Sequence, residues 1–172
     1  GATSDCAPTT PLTLVVPGGA GVRAACDDEA LLAEIRRLSH RAERTVTVCS
    51  GAFLAAAAGL LDGRTVTTHW ARASQLAAAH PQLHVDADPI YVRDGTVWSS
   101  AGVTAGIDVA LAVVEADHGA EVAQTIARWL VMFLHRPGGQ SQFAAPVWTE
   151  RADPGPLRAV QDAVAAAPGD DW

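Results

Sequence analysis

Cys49 is the residue with the clearest chemical potential. It stands in Thr45-Val46-Thr47-Val48-Cys49-Ser50-Gly51-Ala52, where a β-branched run meets small residues and then an alanine-rich stretch. A strand running straight into a helix, with a thiol at the junction, is a nucleophile elbow with cysteine in place of serine. Gly51 suits the turn because the backbone folds tightly back there, and a side chain two residues past the nucleophile would collide. The helix that follows would aim N–H groups and its positive dipole end at the thiol and favour the thiolate. A buried structural cysteine is the plainer reading of the residue type alone; the strand–Cys–x–Gly–helix context favours the elbow.

Three further segments can surround that thiol. Thr68-His69-Trp70 closes the next β-branched run, and strand ends on the carboxyl edge of a parallel sheet are where α/β proteins place functional groups. His69 could orient or deprotonate Cys49, although a lone histidine is more often structural. Val16-Pro17-Gly18-Gly19 is another strand end, where Gly18 and Gly19 could bring backbone N–H groups up to an anionic atom. The small-residue loop Ser99-Ser100-Ala101-Gly102-Val103-Thr104-Ala105-Gly106 precedes a helix and could close one wall. No metal set is expected: CxxC and HExxH are absent, and His80 and His84 have Pro81 between them.

The elements that would hold these residues alternate. Strands are expected over 12–16, 45–48 and 65–68, and a hairpin over 90–99 around Asp94-Gly95. Helices are expected from Asp27 or Asp28 to about 41, from Ser50 to about 59, over 71–79, 105–118 and 120–133, and more weakly over 157–167. In the first, Leu31, Leu32, Ile35 and Leu38 share a face; in 105–118, Ile107, Ala110, Leu111 and Val114 do. Val122, Ile126, Trp129, Leu130 and Phe133 recur at helical spacing and read as core packing. This alternation predicts an α/β fold with a mostly parallel sheet.

Composition sets limits on partners. The 172 residues are 49% hydrophobic and 18% charged, which suits one domain with a substantial core and opposes disorder. No apolar run approaches the roughly 18–20 residues a membrane span needs. Net charge is −7, and every one of the 12 basic residues is arginine. Only Arg36, Arg37, Arg41 and Arg44 cluster, as a solvated face would, so this chain makes a poor direct ligand for nucleic acid. Three distant cysteines, Cys6, Cys26 and Cys49, and no secretory signal point to a reduced, cytoplasmic chain without a disulfide framework.

Several motifs taken together resemble the ThiJ/PfpI superfamily of class I glutamine amidotransferase-like domains. They are Pro17-Gly18-Gly19, Val48-Cys49-Ser50-Gly51-Ala52-Phe53, Ala58-Gly59-Leu60-Leu61-Asp62-Gly63-Arg64, Thr67-Thr68-His69-Trp70 and the stretch from Ser100 to Asp108. His118-Gly119-Ala120-Glu121-Val122-Ala123 and Arg136-Pro137-Gly138-Gly139-Gln140-Ser141-Gln142-Phe143 resemble the N-terminal sensor domain of AraC-family transcription regulators. The resemblance implies a flavodoxin-like three-layer sandwich. It makes Cys49 the elbow cysteine, His69 its histidine neighbour, and Gly18 and Gly19 the facing loop. Ser50, Trp70, Gly102 and Thr104 then join them in a small-molecule pocket.

The resemblance departs from the family at both ends. The family domain normally begins with a strand, a helix and a second strand, and its first loop carries an acidic partner for the cysteine. Here Gly1 enters just before the Pro-Gly-Gly strand, so the first strand and helix and that acid are expected to be missing. Another segment or chain should then cover the open edge. Residues 1–145 are thus expected to form an N-terminally incomplete sensor domain, and 146–172 a linker and the start of a helix-turn-helix domain. The leading expectation is a ligand-sensing, homodimerising domain without a cofactor, touching DNA only through a later domain. The alternative is a cysteine-dependent hydratase or hydrolase resembling isonitrile hydratase, with Cys49 and His69 catalytic. Oxidation sensing through Cys49 is a third reading.

Overall fold

The apolar and β-branched runs pair into two parallel arrangements that set the frame of the site. In the computed structural model, which describes residues 12–142 with Gly155, Pro156, Arg158, Ala159 and Asp162, the element order begins β1 (Thr13–Val16), α1 (Val22–Ala25), α2 (Glu29–Ser39) and β2 (Arg44–Val48). It continues α3 (Gly51–Ala57), β3 (Thr65–Val66), α4 (Trp70–Ala79), β4 (His84–Val85), β5 (Tyr91–Asp94), β6 (Val97–Ser100), α5 (Ala105–His118) and α6 (Ala120–Trp129). Cys6, Phe143 and most of 146–172 lie outside the described residues.

The larger sheet has the order β1-β2-β6-β5, with β1, β2 and β6 parallel and β5 antiparallel to β6. A second sheet pairs β3 with β4 in parallel. Helices α1, α2 and α3 cover one face of the main sheet, where Val16 packs with Val22, Leu32, Ile35, Leu54 and Ala58. On the other face Val46 and Trp98 pack against Val109 and Ala112 of α5. These three layers are the flavodoxin-like α/β sandwich. Burial of β2 on both faces, complete from Thr45 to Thr47, explains its unbroken β-branched run. Asp28 caps α2 as expected, its Oδ1 accepting from the N–H groups of Ala30 and Leu31 at 3.0 Å each.

The chain divides into two compact units, Gly1–Ser141 and Gln142–Trp172. In the second, the Ala159 N–H donates to the Gly155 carbonyl at 3.1 Å, and Arg158 lies 3.8 Å from Asp162.

Several expectations are corrected. The strand expected over 65–68 ends at Val66, because the Thr67 N–H donates to the Ser99 hydroxyl at 2.8 Å instead of continuing a ladder. The hairpin turn is centred on Gly95-Thr96, since Asp94 pairs directly with Val97. On α5 the buried side is Ala105, Asp108, Val109, Leu111 and Ala112, whereas Ile107 is exposed. On α2, Leu32 and Ile35 are buried but Leu31 is exposed. Arg44 belongs to β2, where it pairs with Asp117 at 2.5 Å, while Arg37 joins Glu34 on the outer side of α2.

The stripe on α6 is the largest difference. Val122, Trp129, Leu130 and Phe133 are exposed, Trp129 at 85%, and only Ala123 and Ala127 are buried. α6 packs against α5, and what it buries is small, which leaves the bulky residues on the outer side. The helix also ends four residues before the expected Phe133. Val131 takes φ +55°, and the Met132 and Val131 N–H groups close back on the carbonyls of Ala127 and Arg128, a Schellman stop.

Candidate functional site

Cys49 sits between β2 and α3 with φ +55°, a left-handed conformation that costs a non-glycine residue about 1–3 kcal/mol. The surroundings impose it. Its N–H lies 3.1 Å from the carbonyls of both Ser100 and Ala101, and its carbonyl accepts from the Thr68 hydroxyl at 2.7 Å. The thiol is half-buried and forms no disulfide. At Cys26, burial, helped by the charge of Asp27, pushes the thiol pKa up and disfavours the thiolate.

Gly51 is required, though by more than its own turn. A Cβ there would overlap the Val16 carbonyl oxygen and stand 2.9 Å from the Pro17 carbonyl, so α3 can begin this close to the end of β1 only as glycine. Gly18 meets a similar limit, a Cβ falling 2.8 Å from the Ser50 nitrogen and hydroxyl. The Gly19 N–H donates to the Ser50 hydroxyl at 3.1 Å. The Pro-Gly-Gly loop is therefore stitched to the residue after Cys49, and the Gly19 N–H, considered from sequence for an anion, is engaged by Ser50.

His69 is the N-cap of α4, its Nδ1 accepting from the Ala71 N–H at 3.2 Å. An amide N–H can only donate, so Nδ1 carries the lone pair and the neutral ring carries its proton on Nε2. The imidazole packs on the backbone of Gly102, where a Cβ would stand 3.0 Å from Nε2 and overlap Cδ2. Trp70 lies beside it, ring centroids 5.4 Å apart. Thr104 is exposed at the start of α5, and its hydroxyl accepts from Arg136 at 3.3 Å. The site residues thus form two clusters: Gly18, Gly19 and Ser50 beside Cys49, and His69, Trp70 and Gly102 beside one another. The Thr68 hydroxyl joins the second to the first.

The sequence reading passed over three residues that hold this edge. Gln140 is 2% exposed, and its amide bonds the segment around His69. Asp108, 3% exposed on the inner side of α5, is neutralised by Arg136 through both carboxylate oxygens. Asp88 accepts from the Ser141 N–H at 3.0 Å. Asp108 and Gln140 stood only within strings that served as a resemblance, Ser100 to Asp108 and Arg136 to Phe143, and nothing in the sequence marked Asp88. Among the described residues, no three His, Cys, Asp or Glu side chains gather as a metal site, and no helix is long and apolar enough to cross a membrane.

The chain is similar to several known proteins. Isonitrile hydratase of Pseudomonas putida is 40% identical over 116 residues, covering 66% of this chain and 48% of that protein. The helix-turn-helix transcriptional regulator CdhR of Pseudomonas aeruginosa is 33% identical over 126 residues, covering 73% of this chain and 37% of the regulator. The chain thus spans half or less of these relatives' lengths. A ThiJ/PfpI family protein from Pseudomonas syringae superposes with a TM-score of 0.62 at 31% identity, over 90% of this chain and 60% of that one. Residues 2–116 match the DJ-1/PfpI family, and the chain belongs to it.

Proposed function

We propose that this chain is the ligand-sensing domain of an AraC-type transcriptional regulator, binding a small molecule in the cleft between Cys49, Gly18-Gly19, Ser50, His69-Trp70, Gly102 and Thr104. The observation that carries this over catalysis is the bond from the Ala71 N–H to His69 Nδ1. A general base needs a free acceptor nitrogen, and a thiolate–imidazolium pair needs both nitrogens as donors. His69 has its acceptor occupied by the helix cap, which leaves Nε2–H as a donor for a ligand carbonyl or carboxylate. Likeness to a helix-turn-helix regulator supports the same role, with DNA contacted by a separate region. The net charge of −7 agrees with that division of labour. Cytoplasmic placement and homodimerisation belong to this proposal.

The second reading is a cysteine-dependent hydratase or hydrolase, favoured by the 40% identity to isonitrile hydratase and by the strained backbone at Cys49. Cys49→Ala in the full-length protein separates the two. The sensor role expects ligand-dependent DNA binding, read by fluorescence anisotropy, with no isonitrile turnover before or after the change. Turnover in the wild type that vanishes in Cys49→Ala would assign the chain to the enzymes.

A further inference from the structure

The polar segment 136–141 is tied down at both ends. At one end Arg136 pairs with Asp108 and donates to the Thr104 hydroxyl, tying it to the start of α5. At the other, the Gln140 N–H donates to the Asp88 carbonyl at 2.6 Å and the Ser141 N–H to the Asp88 carboxylate at 3.0 Å. Between these anchors the Gln140 side chain turns inward and is buried.

Its amide has one accepting and one donating end, and both are committed. Oε1 accepts from the Trp70 N–H at 2.8 Å. Nε2 faces the carbonyls of Thr68 at 2.9 Å and Pro89 at 3.0 Å, and the Thr67 hydroxyl at 3.0 Å. The amide cannot be reversed, because the Trp70 N–H only donates and the two carbonyls only accept. The Thr68 carbonyl and the Trp70 N–H belong to the two peptide groups that flank His69. One side chain therefore grips the backbone on both sides of His69. Thr68 continues the chain of bonds, its hydroxyl donating to the Cys49 carbonyl.

We infer that Gln140 is a positioning residue for the cleft: it fixes the backbone of His69 on both sides and, through Thr68, steadies the left-handed turn at Cys49. This deepens the sensing proposal and rests on that cleft being the site. It also gives the Arg136–Gln140 string a physical role that its likeness to regulators left unexplained. The segment that grips the cleft is the one that leads on to Gln142, so a ligand that orders His69 also tightens the hold on 136–141, and the reverse.

The test uses Gln140→Met, which keeps length and volume but removes every donor and acceptor, and Gln140→Glu, which sets an oxygen against the two carbonyls. Amide correlation spectra of the whole chain, the His69 ring signals, and Cys49 alkylation by iodoacetamide followed by mass spectrometry are the readouts. Positioning expects both variants to shift or broaden the Cys49, His69 and Ala71 amides and the His69 Nε2 signal. Cys49 alkylation should change about fivefold, the worth of one lost buried hydrogen bond. The amides of Thr13–Val16 should hold still. Changes confined to direct partners of Gln140, with the His69 ring and Cys49 rate unmoved, overturn the inference and leave Gln140 as packing.

Where a variant loses the β1 signals, hydrogen exchange in the wild type decides. Trp70, Ala71 and Gln140 amides exchanging at one common rate support the positioning role. A Trp70 amide protected independently of Gln140 by more than about tenfold, or roughly 1.4 kcal/mol, overturns it. Equal alkylation of Cys49 and Cys26 in the wild type counts against the cleft as the site, while the amide and ring signals still judge Gln140.

Discussion

At the carboxyl ends of β2 and β6, and in the residues that follow β3, most buried polar groups are matched, although the Thr47 hydroxyl of β2 is buried without a hydrogen-bond partner. Thr67, Thr68, Ser99, Ser100, Asp108 and Gln140 are each at most 3% exposed, and all take part in hydrogen bonds drawn from distant segments. On the outer side of α6 the balance is reversed: Trp129, Val131 and Phe133 are 85%, 91% and 70% exposed. The first region is over-determined, because each buried polar group restricts its neighbours and an unmet partner costs about 1–3 kcal/mol. The second is under-determined, since its bulky side chains touch little within the described residues. The same substitution size should therefore produce unequal effects at the two places.

The largest difference is expected at Gly51. Gly51→Ala sets a methyl against the backbone of Val16 and Pro17, which cannot swing aside as a side chain can. Either α3 or β1 has to move, and β1 is held to β2 along its whole length from Thr13 to Val16. The expected loss is about 3 kcal/mol or more in urea denaturation, enough to unfold a marginal domain. A Gly51→Ala protein within about 1 kcal/mol of the wild type would mean that the close approach of α3 and β1 is not rigid.

What the sequence could and could not announce follows the same divide. The elbow was legible because its signal is local: a β-branched strand, a thiol and a glycine lie within seven residues. The strap at 136–141 was not, because Gln140 bonds groups 51–73 residues away and the inner side of α5 carries a carboxylate. A purely apolar count rotates that helix toward Ile107, and only Arg136, 28 residues on, makes Asp108 compatible with burial. The α6 stripe was periodic and misread for a different reason. Periodicity reports which residues share a side of a helix, not whether anything covers that side. Strand β4, just His84–Val85, is too short to leave a pattern.

The α6 end offers a gain in place of a loss. Val131 holds φ +55° at the position after the helix cap, where glycine is usual, and its side chain is 91% exposed. A β-branched residue is strained there and contributes little packing in return. Val131→Gly is expected to raise stability by about 1 kcal/mol, because relief of the left-handed strain outweighs the added freedom of the unfolded chain. A drop in melting temperature would show that the Val131 side chain is held by a surface outside the described residues, and would move α6 into the over-determined class.

The smallest effect is an acid response confined to the strap. Hydrogen bonds from Ser141, through its side chain and its backbone N–H, hold the Asp88 carboxyl below the usual carboxylate range against a lesser desolvation that opposes them. A pKa depressed in the folded state contributes stability above the unfolded value of about 3.9 and loses it as pH falls through the folded value. The Ser141 and Gln140 amides should therefore move together as pH drops below about 4, while the α6 amides of Ala123 and Ala127 stay in place. Asp86 faces the same turn, its Oδ1 accepting from the Asp88 N–H at 3.2 Å, so the assignment needs Asp88→Asn as a control. That variant keeps an oxygen acceptor for Ser141 but has no charge to lose, and its strap amides should be insensitive to acid. An unchanged titration in Asp88→Asn would transfer the response to Asp86 and leave the strap anchored by Gln140 and Arg136 alone.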